Sequence, residues 1–189
     1  MIPYNYTVLN ISSTPFPTLT SHRLVLRKLV LRDAPALLQL RSDKSVNKYL
    51  DRPKTVTIAE AEAFVEKIDG LLANKESFYW AINLKERSTL VGAIGLWKFE
   101  PEKNLAEIGY ELSPVCQGLG LMQEAIEQVI AYGFNTLQLK IITALPNPNN
   151  EKSVNLLKRN NFSIDTDYSY VSKEDAGEQV VYFLIADNN

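Results

Sequence analysis

A chain of 189 residues, 46% hydrophobic and 22% charged, has enough apolar material for one full core and the length of a single domain. A formal net charge of −2 excludes the broad basic face needed to grip a nucleic-acid backbone, so no direct nucleic-acid partner is expected. The single cysteine, Cys116, excludes an internal disulfide and a cysteine-based zinc site and suits a reducing, cytoplasmic setting; with no basic leader before an apolar run and no stretch of roughly 18 apolar residues, a soluble protein without a membrane partner is expected.

Residues 1–21, with Pro3, Pro15 and Pro17 among Ser, Thr and Asn, read as an irregular arm with at most a short extended piece, leaving 22–189 as one domain. Residues 23–29 alternate as a first strand. Asp33 is placed to cap a helix through Ala36, Leu37 and Leu40, and 45–50 fit a short helical turn. Thr57-Ile-Ala-Glu60 is a capping box, and Ala61, Phe64, Val65, Ile68, Leu71 and Leu72 form the buried stripe of the helix it opens. Strands follow at 78–84, 90–99 and 104–112, joined by short polar turns that imply an antiparallel meander.

Next comes Gln117-Gly-Leu-Gly-Leu-Met122, a glycine-rich turn running into a helix on which Met122, Ala125, Ile126, Val129, Ile130 and Gly133 recur at helical spacing. An apolar strand at 140–145, a polar segment at 146–150, a helix over 151–159 and two strands near 162–170 and 179–186, read as a hairpin, complete the chain. The fold class is α/β, α+β by some schemes, with a mixed sheet packed between helices.

A helix N-terminus offers backbone N–H groups without intrahelical partners and the positive end of the macrodipole, so Gly118 and Gly120 make residues 117–122 a candidate anion site; a plain strand-to-helix turn is the alternative. Gly109 interrupts the strand that leads into this loop, where a glycine marks a bulge or close backbone approach. A kinked strand beside an anion-binding turn gives a slot for a long ligand. Asn150 and Ser153 stand where they could hydrogen-bond amides of that ligand, or cap the helix they open. The loop lacks the Gly-Lys-Ser/Thr ending of a nucleotide-binding P-loop.

Glu-Ile-Gly-Tyr ending a strand, Gln-Gly-x-Gly-x-Met opening a helix, then Asn-x-x-Ser before Leu-Leu-Lys-x-x-x-Phe, resemble the GNAT superfamily of acetyl-CoA-dependent N-acetyltransferases. Phe16-Pro-Thr-Leu and His22-Arg-Leu-Val-Leu-Arg27 resemble its RimJ/RimL-like subgroup, which acts on N-terminal amines of ribosomal proteins. The resemblance spans roughly residues 16–186. It implies a mostly antiparallel twisted sheet of about seven strands with helices on both faces and splayed central strands. It implies acetyl-CoA as co-substrate, with backbone N–H groups of Gln117, Gly118, Leu119, Gly120, Leu121 and Met122 on the pyrophosphate, the strand ending at Leu112 along the pantetheine arm, and Asn150 on that arm. Met122 departs from the small residue usual in the superfamily but fits the subgroup.

Acetyl transfer to an amine needs a neutral nucleophile, a donor for the oxyanion and a proton for the leaving thiolate, and no metal. A terminal amine, with a pKa near ~8, is easier to deprotonate than a lysine near ~10.4. Glu107 is the candidate base: alternation groups it with Gly109 and Glu111, opposite Ile108 and Tyr110, unless a bulge at Gly109 breaks the parity. A structural strand carboxylate is the plainer reading. A backbone N–H near Leu112 is the expected oxyanion donor. For the acid, Ser153, Tyr110, Tyr168 and Tyr170 are open.

Cys116 reads as packing and His22, the lone histidine, as a surface residue, so no Cys-His pair supports covalent catalysis. Trp80 and Trp97, with Phe78, Tyr79 and Phe99, could line an acceptor groove or fill the core. Glu107, Glu111, Asp165 and Asp167 could attract a cationic amine. The acceptor expected first is a protein N-terminus; a polyamine, amino acid or antibiotic, or a non-catalytic acyl-CoA-binding module, is the alternative. A monomer or homodimer suits either.

Overall fold

The computed structural model describes residues 15–50 and 52–186; most of the N-terminal arm, residues 1–14, lies outside the described residues. Eight strands form one sheet: β1 (Leu19–Thr20), β2 (Leu24–Lys28), β3 (Ser77–Leu84), β4 (Leu90–Glu100), β5 (Leu105–Leu112), β6 (Ile141–Ala144), β7 (Ser163–Ile164) and β8 (Tyr182–Ile185), in the order β1-β2-β3-β4-β5-β6-β8-β7. The helices are α1 (Ala34–Ser42), α2 (Ile58–Ala73), α3 (Leu121–Asn135), α4 (Glu151–Arg159) and the one-turn α5 (Lys173–Ala176). Short connections make β3 to β5 an antiparallel meander as expected, β2 pairs antiparallel with β3 although α1 and α2 lie between them in the chain, and β5–β6 is the parallel pair because α3 carries the chain back across the sheet.

The period-two pattern of β3 sends side chains alternately into two cores. Phe78, Trp80 and Ile82 join Ala125, Ile126 and Val129 of α3, whereas Ala81 and Tyr79 meet Leu37, Leu40, Phe64 and Val65 of α1 and α2. Phe78 and Trp80 stack at 5.6 Å between centroids, and Phe16 lies 5.7 Å from Trp80, whose Nε1 donates to the Pro17 carbonyl at 2.8 Å. The last residues of the expected arm are thus part of the packed structure, and β1 is its short extended piece.

Several local expectations change. Asp33 stands at the N-cap of α1 without capping it, because its carboxylate accepts from Arg27 Nη1 and Nη2, each at 2.7 Å, and from the Val30 N–H at 3.0 Å. Thr57 and Glu60 do form the reciprocal capping box. The strands expected near 162–170 and 179–186 shrink to β7 and β8, since buried Asp165 accepts the N–H groups of Ser169 (3.0 Å) and Tyr170 (2.9 Å) and turns the chain.

No bulge falls at Gly109: the β4–β5 register runs unbroken from Trp97↔Glu107 to Gly92↔Leu112, and the shift lies between Trp97 and Glu100, beside Lys98 at φ 49°. The glycine is required because a Cβ at position 109 would collide with the Trp97 indole. The splay comes instead from pairing that stops early. Only Leu105, Ala106 and Glu107 of β5 pair with β6, opposite Ile141, Ile142 and Thr143, while β5 runs on to Leu112.

Candidate active site

Past Glu107 the sheet opens into a cleft of about 410 Å³ that reaches both of its faces. Glu107, Gly109 and Glu111 line it from the α1/α2 side with Tyr79 and Trp97; Ile108 and Tyr110 line it from the other, facing Ser153 of α4. The unbroken register preserves the alternation read from the sequence. Ser113 N–H bonds the Val91 carbonyl at 2.8 Å, so antiparallel alternation turns the N–H and C=O groups of Ile108, Tyr110 and Leu112 away from β4 and into the gap. Gln117 Nε2 donates to the Leu112 carbonyl at 3.0 Å, which ties the loop to that free edge.

The glycine turn opens α3 as anticipated, one residue earlier, at Leu121. Gly120 is its N-cap at φ 75° and ψ 4°, Gly118 also has φ 75°, and no side chain caps the first turn. Left-handed backbone at both positions is the reason for glycine there. The N–H groups of Leu121, Met122 and Gln123 point out of the helix end unclaimed by the helix itself. Gln117 N–H, by contrast, donates to the Pro114 carbonyl at 3.2 Å. Two cations flank the turn. Lys152 Nζ donates to Gln117 Oε1 at 3.0 Å, and an Arg23 terminal nitrogen would lie 3.3 Å from a Cβ at Gly120. Arg23 is anchored by Glu124 in the first turn of α3, Nε to Oε1 at 2.5 Å, and Ser21 Oγ donates to Oε2 of the same carboxylate at 2.6 Å.

Tyr110 and Ser153 hydroxyls are 2.8 Å apart. Burial pushes the Tyr110 phenol up to about 12, against a smaller lowering by the Ser153 hydrogen bond. Asn150 caps α4, accepting from the Ser153 N–H at 3.3 Å through Oδ1, and also lines the cleft. Glu107 accepts from Lys98 Nζ at 2.8 Å.

Tyr168 and Tyr170 are not among the cleft-lining residues: Tyr168 is exposed and Tyr170 packs on Phe183 at 4.8 Å. Asp165 serves its loop, Phe78 and Trp80 are core, Cys116 is buried against the core and His22 is exposed.

The sequence marks Glu111 and Tyr79 as candidates but not the two arginines that gather beside them. Glu111, buried, accepts from Arg52 Nη2 at 2.5 Å and from the Tyr79 hydroxyl at 2.9 Å, and Arg52 Nε donates to Asn47 at 3.0 Å. Arg41, also buried, lies with its guanidinium 3.7 Å above the Phe64 ring. Burial, then the Glu111 charge, raises the Tyr79 pKa well above its ordinary value, so the phenol stays a donor. Nothing in the local pattern marks Arg41, in the last turn of α1, or Arg52, in an irregular segment; only the tertiary fold brings them to Glu111.

Among the described residues, no group of three or more His, Cys, Asp and Glu side chains is placed to hold a metal, and no helix is long and apolar enough to cross a membrane. Residues 23–163 match a family model described as an acetyltransferase (GNAT) domain. The uncharacterized N-acetyltransferase p20 of Bacillus licheniformis is 34% identical over 145 residues, 77% of this chain and 82% of the relative. The uncharacterized N-acetyltransferase YoaA of Bacillus subtilis (strain 168) is 32% identical over 147 residues, 78% and 83% of the two chains. Among solved structures, the ribosomal L7/L12 α-N-protein acetyltransferase RimL, in complex with coenzyme A, shares the fold at a TM-score of 0.78 and 22% identity, over 92% of this chain and 100% of that one.

Proposed function

The chain belongs to the GNAT acetyltransferase family and is an acyltransferase, and from that premise we propose that it moves an acetyl group from acetyl-CoA to the N-terminal amine of a protein, both substrates being bound at once. The observation that carries the reading is the opening of β5 from β6 beside an uncapped, glycine-led helix N-terminus. The residues present fit the co-substrate. Left-handed Gly118 and Gly120 leave the first-turn N–H groups of α3 accessible to a pyrophosphate, Arg23 and Lys152 add positive charge, and the free edge of β5 offers amide partners to an extended arm.

Bound there, acetyl-CoA supplies the activated thioester. Leu112 N–H, turned into the gap, donates to the carbonyl oxygen as it gathers charge. Glu107, on the acceptor side, takes a proton from the attacking amine directly or through water; its partner Lys98 is exposed and free to swing away. As the carbon–nitrogen bond forms and the carbon–sulfur bond breaks, the Tyr110–Ser153 pair gives a hydroxyl proton to the thiolate and regains one from solvent, while Glu107 releases the amine's proton to solvent. The high pKa of Tyr110 keeps it protonated for that task. The fold shared with RimL, an α-N-protein acetyltransferase, supports the choice of acceptor.

A mass-spectrometric screen with acetyl-CoA tests this, using peptides beginning with Ser, Ala or Met beside polyamines and aminoglycosides. Mass gain on the peptide α-amine is the expected result. Turnover confined to polyamines or aminoglycosides would replace the acceptor class, and acetyl-CoA binding without turnover of any amine would favour a binding module.

A further inference from the structure

Among the described residues, the α1/α2 side of the cleft is lined by more cationic than anionic side chains. Its lining carries Arg41, Arg52 and Lys67 against Glu107 and Glu111, and Glu107 is already paired with Lys98. Arg52 is committed to Glu111 and Asn47. Arg41 is only partly satisfied: it is 8% exposed, Tyr79 shares a side-chain hydrogen bond with it, and its Nε has no hydrogen-bond partner among the described residues. A buried guanidinium N–H without a partner is costly unless something completes it. Burial is the largest influence on Arg41 and lowers its pKa, against the raising effects of the neighbouring Glu111 and Tyr79.

We propose that the acceptor carries a carboxylate close to its reacting amine, and that Arg41 is the residue that recognises it. Phe64 lies against the guanidinium at 3.7 Å, which restricts its movement, and a planar fork matches a carboxylate edge-on through two N–H donors. One guanidinium with an open donor suits a single negative charge better than a dianionic phosphate. Glu111 keeps Arg52 and the Tyr79 hydroxyl in place beside it, so among the described residues the buried cation of this lining with an unpaired donor is Arg41. The carboxylate has two sources, a free amino acid or an acidic side chain near a peptide N-terminus.

This inference rests on the acetyl-transfer reading, and its test separates the two. Thiol release from acetyl-CoA is followed with matched acceptors: free amino acids against their carboxamides, and N-terminal peptides with Asp or Glu against Asn or Gln at the second and third positions. Polyamines serve as carboxylate-free controls. The expected result is a preference for the carboxylate member of each pair, with the more strongly preferred series naming its source. Arg41→Gln is expected to raise KM for that acceptor by roughly tenfold to a hundredfold, the range of a charge-assisted hydrogen bond. Arg41→Lys recovers part of the loss, and KM for acetyl-CoA and for the carboxamide stays put.

Equal turnover of carboxylate and carboxamide acceptors overturns the proposal while leaving acetyl transfer intact. Turnover of no amine at all overturns both. Should Arg41→Gln fail to fold, the ranking of acceptors by the unaltered protein decides by itself.

Discussion

Glu107 and Tyr110 occupy opposite sides of one strand, and that separation assigns them different jobs. Glu107→Gln keeps the shape and the hydrogen bond to Lys98 but cannot accept a proton, so kcat is expected to fall by about 10² to 10⁴ with KM for acetyl-CoA unchanged. Near-normal turnover of this variant across pH would return Glu107 to a structural role. Tyr110, raised to about 12 by burial, holds its proton through the range in which a tyrosine at its ordinary value near ~10 would lose it. A pH–rate profile should therefore show no falling limb from this group below about pH 11, and Tyr110→Phe should lower kcat without adding one. At this scale the sequence was half legible: residue type and strand parity pointed to Glu107 and Tyr110 and the polar start of a helix to Ser153, whereas Arg41, Arg52 and Lys98 converge only through tertiary packing.

Among elements, the start of α3 does two things at once. Its N–H groups are kept free of side-chain caps, and Glu124 one turn in clamps the β1–β2 turn to it through Ser21 and Arg23. Burial opposes ionisation of Glu124, but the hydrogen bonds from Ser21 and from the Arg23 N–H and guanidinium outweigh it and hold the carboxyl at about 2. A depressed folded-state pKa contributes stability that is present above the unfolded value of about 4.3 and is lost as pH falls from there toward about 2. Thermal unfolding of Glu124→Gln should thus show a lower Tm at neutral pH, with the gap to the unaltered protein closing over that acid window. A gap independent of pH would mean the clamp works by shape alone. Helices with a cap and an apolar stripe were the most legible elements. The last two strands were misjudged in length because Asp165 captures backbone groups that a longer hairpin would have used.

Across the whole molecule, the antiparallel pairing of β3 to β5 followed from short polar turns, but the gap between β5 and β6 leaves no mark in composition or periodicity. Gly109 was read as a kink and is instead the floor beneath Trp97, a distinction that needs the neighbouring strand. Strand pairing joins β1–β5 to β6–β8 through only three residue pairs, Leu105↔Ile141 to Glu107↔Thr143. Mechanically the sheet is two plates riveted at one end. A ligand laid along the upper edge of β5 acts as the missing rivets, so acetyl-CoA should slow amide hydrogen exchange in β5 and β6 more than in β2 and β3, whose ladder is already complete. Exchange slowed equally everywhere would mean that the plates move as one. If they do not, substrate loading and sheet stiffness are the same event, and the protein is most rigid at the moment when its chemistry requires fixed distances.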